Sequence, residues 1–597
     1  MRQMAFGKTA LVSSYLFLCI ACGGSTKVSD KDEFFIPAIK GNVTDNAFDP
    51  ERLLQVSIQL PDTDYQTLKE EGRSLDLALS DCANSDADWA NFEYTDFSAK
   101  VNIDGQTLEN VAIRKKGYLG SLSRFRPSLK LNFDTHVEGR TFKTLKRMTL
   151  NNNRQDPSFA RQCLAYDLFN KAGIIAPRCN LAQVYVNGED LGVYSHVESI
   201  KKPFLERTFL DKSGNLYEAQ VADLGDHLQD GFELKTNKTL NDRSDLAAFS
   251  DALKKPDNEL IDELKKFIDV DEFITFWAVE TMIGHWDSAT GNNNNFYLYH
   301  NPADNLFHFI PWGTDAAFTG INIFKPESGP LYQNLSLASR LYGIAESRDL
   351  YHSTLLDLIG RYWVEADLIN SINQTATLAS TQTDAKTALI DFIQGNGTQV
   401  SQVQNIQAAI ANNAADQKQY PLSDEAKDCS SPAATMELKA SFASGTSADT
   451  GTFQFKDRDG VTHVANMQFA TMGEDGVDSL IYLHNTSTLP STHDLTAVGV
   501  TLKPGTISLD KVYSLQIMLE DPQYTPGDYS LHGISNNVML FEVLSKEGDV
   551  GHPVLDTIAV GHSGTITLEE TGTGSASSKI KGSINATMSI MPPSPWE

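Results

Sequence analysis

Cysteine is scarce in this chain: 6 among 597 residues, and beyond Cys19 and Cys22 near the amino terminus there is no CxxC pair and no paired Cys/His spacing. That excludes a structural zinc fold, and so does the wide separation of Cys82, Cys163, Cys179 and Cys429. Basic residues are outnumbered, 49 Lys and Arg against 77 Asp and Glu, for a net charge of −28. A surface of that sign repels phosphate backbones, so nucleic acid is excluded as a partner. Beyond the first two dozen residues no apolar run approaches the ~20 residues of a membrane-spanning helix. The segment from Asp457 to Gly460 begins like a calcium loop but lacks the acids that must follow, and reads as a hairpin turn.

What is present begins at the amino terminus. Arg2 and Lys8 precede an apolar run from Thr9 to Ala21, too short to span a bilayer, which reads as a signal peptide over 1–21. Leu18 to Ser25 resembles a bacterial lipoprotein cleavage site with Cys22 as the acylated residue, although Cys19 stands where Leu is usual. A polar tether over 22–48 follows. The resemblance implies export and lipid anchoring to the bacterial cell envelope, at the outer membrane. The four later cysteines permit two disulfides; the pairing expected is Cys82 with Cys429 or Cys179, with Cys163 in the core.

Length allows two or three domains. From Leu53 to Val197 the pattern is mostly strands, with hairpin signals at Asp104-Gly105 and Asn187-Gly188. One helix interrupts, opened by Pro157 and stopped by Gly173. Helical spacing dominates from Ser244 to about Ala414, and from about Ser430 short β-rich runs separated by turns take over.

The segment from Phe273 to Phe318 carries the chemistry. Asp269 and Glu272 form a capping box ahead of an apolar helix ending near Trp286. A Gly/Asn-rich loop, Ser288 to Asn295, separates it from two strands, Phe296–Tyr299 and Leu306–Ile310. Asp287 therefore lies on the loop and Asp315 just past the second strand, where a hairpin returns one acid toward the other. Phosphoryl transfer needs one carboxylate for the attacking hydroxyl and another for the metal, and protein kinases place an Asn five residues after the catalytic Asp. Asn292 is five after Asp287. The same residues also suit an ordinary polar loop with two strand-end acids.

Other motifs occur in a fixed order around this block: Asp156-Pro157-Ser158 before a helix, Val186-Asn187-Gly188, Gly192-Val193-Tyr194 and Gly214 to Ala219. Together they resemble the CotH kinase family over roughly residues 50 to 430. The resemblance implies an α+β, two-lobed protein-kinase-like domain at 49–430; the regularly spaced strands after it indicate an all-β, sandwich-like domain at 431–597. It further implies ATP and Mg2+ or Mn2+ as cofactors and transfer of the γ-phosphoryl to a Ser or Thr of a surface protein. Asp287 would be the catalytic base, with Asn292 and Asp315 on the metal.

Lys130 is the first candidate to hold the phosphates, since Ser128, Lys130 and Asn132 share one strand face; Arg114, Lys115 and Lys116 compete. For the acid that positions this cation the helix offers only Asp167, so Glu198 is preferred. Gly214 to Ala219 suits either an inter-lobe link whose backbone edge meets adenine or a plain strand. His285 before Trp286-Asp287 suits packing or capping better than catalysis. Trp312-Gly313-Thr314-Asp315 departs from the W-D-x-D of many relatives, with Gly313 where the first acid would stand. A non-catalytic, kinase-like surface adhesin or assembly protein is therefore the alternative, and glycan or protein is the partner expected of the carboxy-terminal domain.

Overall fold

A computed structural model describes residues 34–38, 46–74, 76–77, 92–225, 229–319, 330–380, 384–395, 397–412, 433–443 and, within 450–591, the strands with a few flanking residues. The signal segment with Cys22, Cys82, Cys429 and the 457–460 turn lie outside the described residues.

The first strands are β1 (Leu53–Gln59), β2 (Phe97–Ile103), β3 (Gln106–Lys116), β4 (Ser128–Asn132), β5 (Arg147–Asn151), β6 (Cys179–Val186) and β7 (Glu189–Val197). They close into a barrel in the order β1-β2-β3-β4-β5-β7-β6 rather than forming a small open sheet. The seam is the parallel pairing of β1 with β6, Leu53 opposite Leu181 through Ile58 opposite Val186. Alternate apolar residues, among them Val56, Ile58, Val101, Ile113, Leu129, Leu131, Met148 and Val184, fill its interior. Both expected hairpins form, with left-handed backbone at Asp104, Gly105, Asn187 and Gly188.

A helix at Asp62–Glu70, which the strand pattern did not suggest, follows β1. The helix expected from Pro157 begins instead at Arg161 and runs to Lys171. The delay has a cause: the buried Asp156 carboxylate accepts from the Ser158 and Arg161 backbone N–H groups at 3.2 and 2.8 Å, holding the entry as a turn. A Cys163–Cys179 disulfide ties this helix to β6, so Cys163 is bonded rather than a free core thiol, and Cys179 is not the partner of Cys82. Spacing cannot decide among pairings; here the helix and strand bring the two Cα atoms to 5.1 Å.

A second sheet has the order β11-β10-β8-β9, with β8 at Leu216–Ala219, β9 at Phe232–Leu234, β10 at Phe296–Asn301 and β11 at Leu306–Pro311. β8 pairs on both sides, with β10 and β9, so its backbone edges are taken and cannot meet an adenine. Helices cover the rest of this half, chiefly Val270–Met282, Ser336–Gly343, Ala345–Tyr362, Glu365–Leu378 and Gln399–Ala411, around buried Trp277, Tyr351 and Trp363.

Strands β12 to β21 follow between Thr435 and Ile590, all paired antiparallel. They make one sheet of ten strands, not two stacked ones. It closes on itself because the long β14 (Thr462–Glu474) pairs β13 (Thr450–Lys456) with its first half and β15 (Ser479–His484) with its second.

Candidate active site

Asp269 caps the Val270–Met282 helix as expected, its carboxylate accepting from the N–H groups of Asp271 and Glu272. The chain leaves the helix through Gly284 in a left-handed conformation and turns at Asp287. What fixes this turn is Glu280, a fully buried acid in the helix. It accepts from the Ser288 and Thr290 hydroxyls at 3.0 and 2.6 Å and from the Ala289 and Thr290 N–H groups at 3.2 and 2.9 Å. Burial nevertheless raises its pKa to about 7. Ser288 caps a single helical turn, Ala289–Asn292, within what reads locally as loop.

That turn wraps three amides around Asp287. Asn292 and Asn294 donate to its Oδ1 at 2.9 and 3.2 Å, and Asn295 donates to its Oδ2 at 2.7 Å. Burial, aided by the charge of Asp315, lifts Asp287 to about 6 against the pull of these donors. Asp315 reaches the same place from the hairpin: β10 and β11 pair from Phe296–Pro311 to Asn301–Leu306, and the Trp312 N–H then bonds the Asn295 carbonyl at 3.0 Å. Burial raises the Asp315 pKa too, opposed by the Lys116 and Arg161 charges. Asp287, Asn292 and Asp315 thus come together. His285 beside them is buried, neutral at ordinary pH because burial lowers its pKa to about 4, and 3.4 Å from the Trp312 carbonyl.

Two barrel lysines border this site, Lys116 facing Asp315 and Lys130 facing Glu218. Arg114 lies opposite Lys130, and Lys116 opposite Ser128, across β3 and β4. The Lys116 ammonium bonds Asn151 Oδ1. Burial lowers its pKa to about 8, with Asp315 the foremost charge acting against that. Burial also brings Lys130 well below the ordinary lysine range, and its opposing charge is Glu218 on β8. Glu218 is held far below its ordinary range, despite burial, by Lys235, Lys130 and Lys201. Lys235 lies 2.5 Å from it. Lys115 points away and donates to the Lys69 carbonyl.

Glu198 does not serve Lys130. It forms ion pairs with Arg178 and Arg207, both at 2.7 Å, at the far end of β7. Asp167 pairs with Lys171 in solvent. Glu198 directly follows strand β7 and Glu218 stands in β8, and only the register of β8 between β9 and β10 decides which acid meets the lysines. The available signal was an acid alternating with buried neighbours, Tyr217 and Ala219. Lys201, Lys235 and Glu280 also escaped the sequence reading, while Asn294 and Asn295 were read only as neighbours of Asn292 on the loop.

Among the described residues no group of three His, Cys, Asp or Glu side chains could hold a metal. Two carboxylates and an amide oxygen nonetheless fit magnesium, which keeps waters and shares phosphate oxygens rather than demanding a full protein cage. The mutual repulsion of Asp287 and Asp315 is what a divalent cation relieves.

Residues 113–415, more than half of the chain, match the family model described as CotH kinase protein. The chain belongs to that family. It is similar to Inner spore coat protein H of Bacillus subtilis, 27% identical over 231 residues, covering 36% of this chain and 63% of that protein. It is also similar to Invasin CotH2 of Rhizopus delemar, 26% identical over 196 residues, covering 30% and 33%. It thus spans less than two thirds of the length of these curated relatives. The Helicobacter pylori proinflammatory kinase CtkA overlaps 48% of this chain and 95% of its own at 10% identity and a TM-score of 0.26, too loose a superposition to support a shared fold.

Proposed function

We propose that this chain is an exported, lipid-anchored kinase that transfers the γ-phosphoryl of ATP to a Ser or Thr hydroxyl of a surface protein. The observation that carries this is the convergence of Asp287 and Asp315, whose charge raises Asp287, with Lys116 facing Asp315 and Lys130 beside it facing Glu218. The barrel half and the helical half act as the two lobes, and the β-rich carboxy-terminal segment is a separate appended domain for a glycan or protein partner.

In this reading Asp287 is the base. Asn295 uses one acceptor position of its Oδ2, leaving another for the substrate hydroxyl. A pKa of about 6 keeps the carboxylate ionised at neutral pH while leaving it basic enough to take a proton. The hydroxyl oxygen bonds to the γ-phosphorus, its proton passes to Asp287, and the bond to the β–γ bridging oxygen breaks, its electron pair leaving with ADP. Asn292 and Asp315 would hold magnesium, which when bound neutralises the triphosphate. Lys116 and Lys130 supply positive charge to the phosphates, Lys130 positioned by Glu218.

Purified protein with labelled ATP and Mg2+ tests the proposal. Asp287→Ala and Asp315→Ala are each expected to reduce transfer by about 100-fold or more with unfolding unchanged; activity equal to wild type would refute the roles. The second reading, a binding protein without catalysis, is favoured by Gly313 in place of an acid. It predicts no thermal stabilisation by millimolar ATP with Mg2+ or Mn2+. Anchoring through Cys22 predicts fatty-acid labelling that Cys22→Ala abolishes, and labelling retained in that variant rules it out.

A further inference from the structure

Gly313 has φ +52°, the left-handed region that favours glycine. Space there is closed as well: a Cβ at 313 would stand 2.3 Å from Asn295 Oδ1 and 2.6 Å from its Cγ. The Asn295 amide cannot swing aside freely, because its Nδ2 donates to both the backbone carbonyl and Oδ2 of Asp287, at 2.9 and 2.7 Å. Those two acceptors also fix which end of the amide is nitrogen. Asn295 is itself left-handed, φ +53°, and its carbonyl receives the Trp312 N–H at 3.0 Å. The loop bearing one acid and the turn bearing the other are therefore interlocked through Asn295, its side chain on Asp287 and against Gly313, its backbone carbonyl on Trp312.

We infer that Asn295 is the positioning residue for Asp287, and that Gly313 is glycine because any side chain there would evict the Asn295 amide. Gly313 is then an accommodation within the site and not a mark of lost function. This rests on the kinase reading for its catalytic consequence, but the interlock stands apart from it.

A double-mutant cycle tests the inference on the full chain. In ATP-dependent transfer, Asn295→Ala is expected to lower kcat by about 10- to 100-fold with KM for ATP within about 2-fold, because donors to a base orient it without touching nucleotide. Asn295→Asp keeps the shape but loses the donor, and is expected to stay as low; recovery by this variant would reduce Asn295 to a space-filler and overturn the assignment. Gly313→Ala is expected to lose as much as Asn295→Ala, yet to add less than about 3-fold in the Asn295→Ala background. Losses that simply multiply, or kcat unchanged in Asn295→Ala, overturn it too.

Should wild type transfer nothing, the kinase reading fails, and the same four proteins decide the interlock by thermal unfolding. Gly313→Ala is expected to lower Tm in wild type by at least twice its effect in Asn295→Ala. Equal drops in both backgrounds defeat the inference.

Discussion

Single buried groups set opposing pH dependences in this protein. Glu280 has its pKa raised by burial from 4.5 to about 7, so the folded state prefers it neutral. Its favourable contribution is complete below the unfolded value and disappears as pH rises through about 7. His196 acts the other way. Stacked on Phe48 at 4.4 Å and bonded through Nδ1 to Asn180, it is lowered by burial, with help from the Arg178 charge, to about 3. Its contribution is present above 6.5 and drains away as pH falls toward 3. Each pKa unit is worth about 1.4 kcal/mol, so over pH 5 to 6.5 the two slopes largely offset. Urea unfolding at several pH values separates them: Glu280→Gln is expected to steepen the loss of stability on acidification, and His196→Gln to reverse it. Parallel curves for all three proteins would show that neither group titrates on unfolding.

At the scale of elements, what was legible in the sequence was what neighbours along the chain determine. Asp104-Gly105 and Asn187-Gly188 made their turns, Asp269 its cap, and Asp287 gathered Asn292, because each depends on residues a few positions away. What was not legible depends on long-range register. The β1–β6 seam joins strands more than a hundred residues apart, and Glu218 meets Lys130 only because β8 is clamped between β9 and β10. The Asp62–Glu70 helix hid in a short polar stretch whose buried residues are only Tyr65 and Leu68. Strand alternation removes one of the competing cations: Lys116 looks toward Asp315 and Lys130 toward Glu218, while Lys115 is buried against the carbonyl of Lys69. Stabilisation by Mg2+-ATP is therefore expected to fall about 10-fold or more in apparent affinity for Lys116→Ala and Lys130→Ala. For Lys115→Ala the affinity should hold while the melting temperature drops. Loss of nucleotide binding in Lys115→Ala alone would invert the assignment of the β3 face.

On the scale of the whole molecule, a chain with net charge −28 concentrates Lys116, Lys130, Lys201 and Lys235 around Glu218. The general field repels anions and the local one receives them, so nucleotide binding should depend on these few side chains and weaken with salt. The carboxy-terminal strands bear on this region. Leu122, on the loop that joins Lys116 to β4, is buried with Val560 against Tyr94, Met539 and Met591, and the Tyr94 hydroxyl holds the Gly117 carbonyl at 2.9 Å. Nearby, His562 and Ser589 reach Asp76 at 3.0 and 2.7 Å. The far end of the chain thus braces the connection between β3 and β4, the strands that carry Lys116 and Lys130. Val560→Asp puts a carboxylate into the apolar contact of Leu122, Met539 and Met591, a change that costs several kcal/mol unless the surfaces part. The expected result is parting: faster deuterium uptake over 117–126, and Mg2+-ATP affinity lower by about 3- to 10-fold. Unaltered uptake in that loop, in a Val560→Asp protein whose other strands exchange as before, would mean the loop holds its shape without the carboxy-terminal sheet.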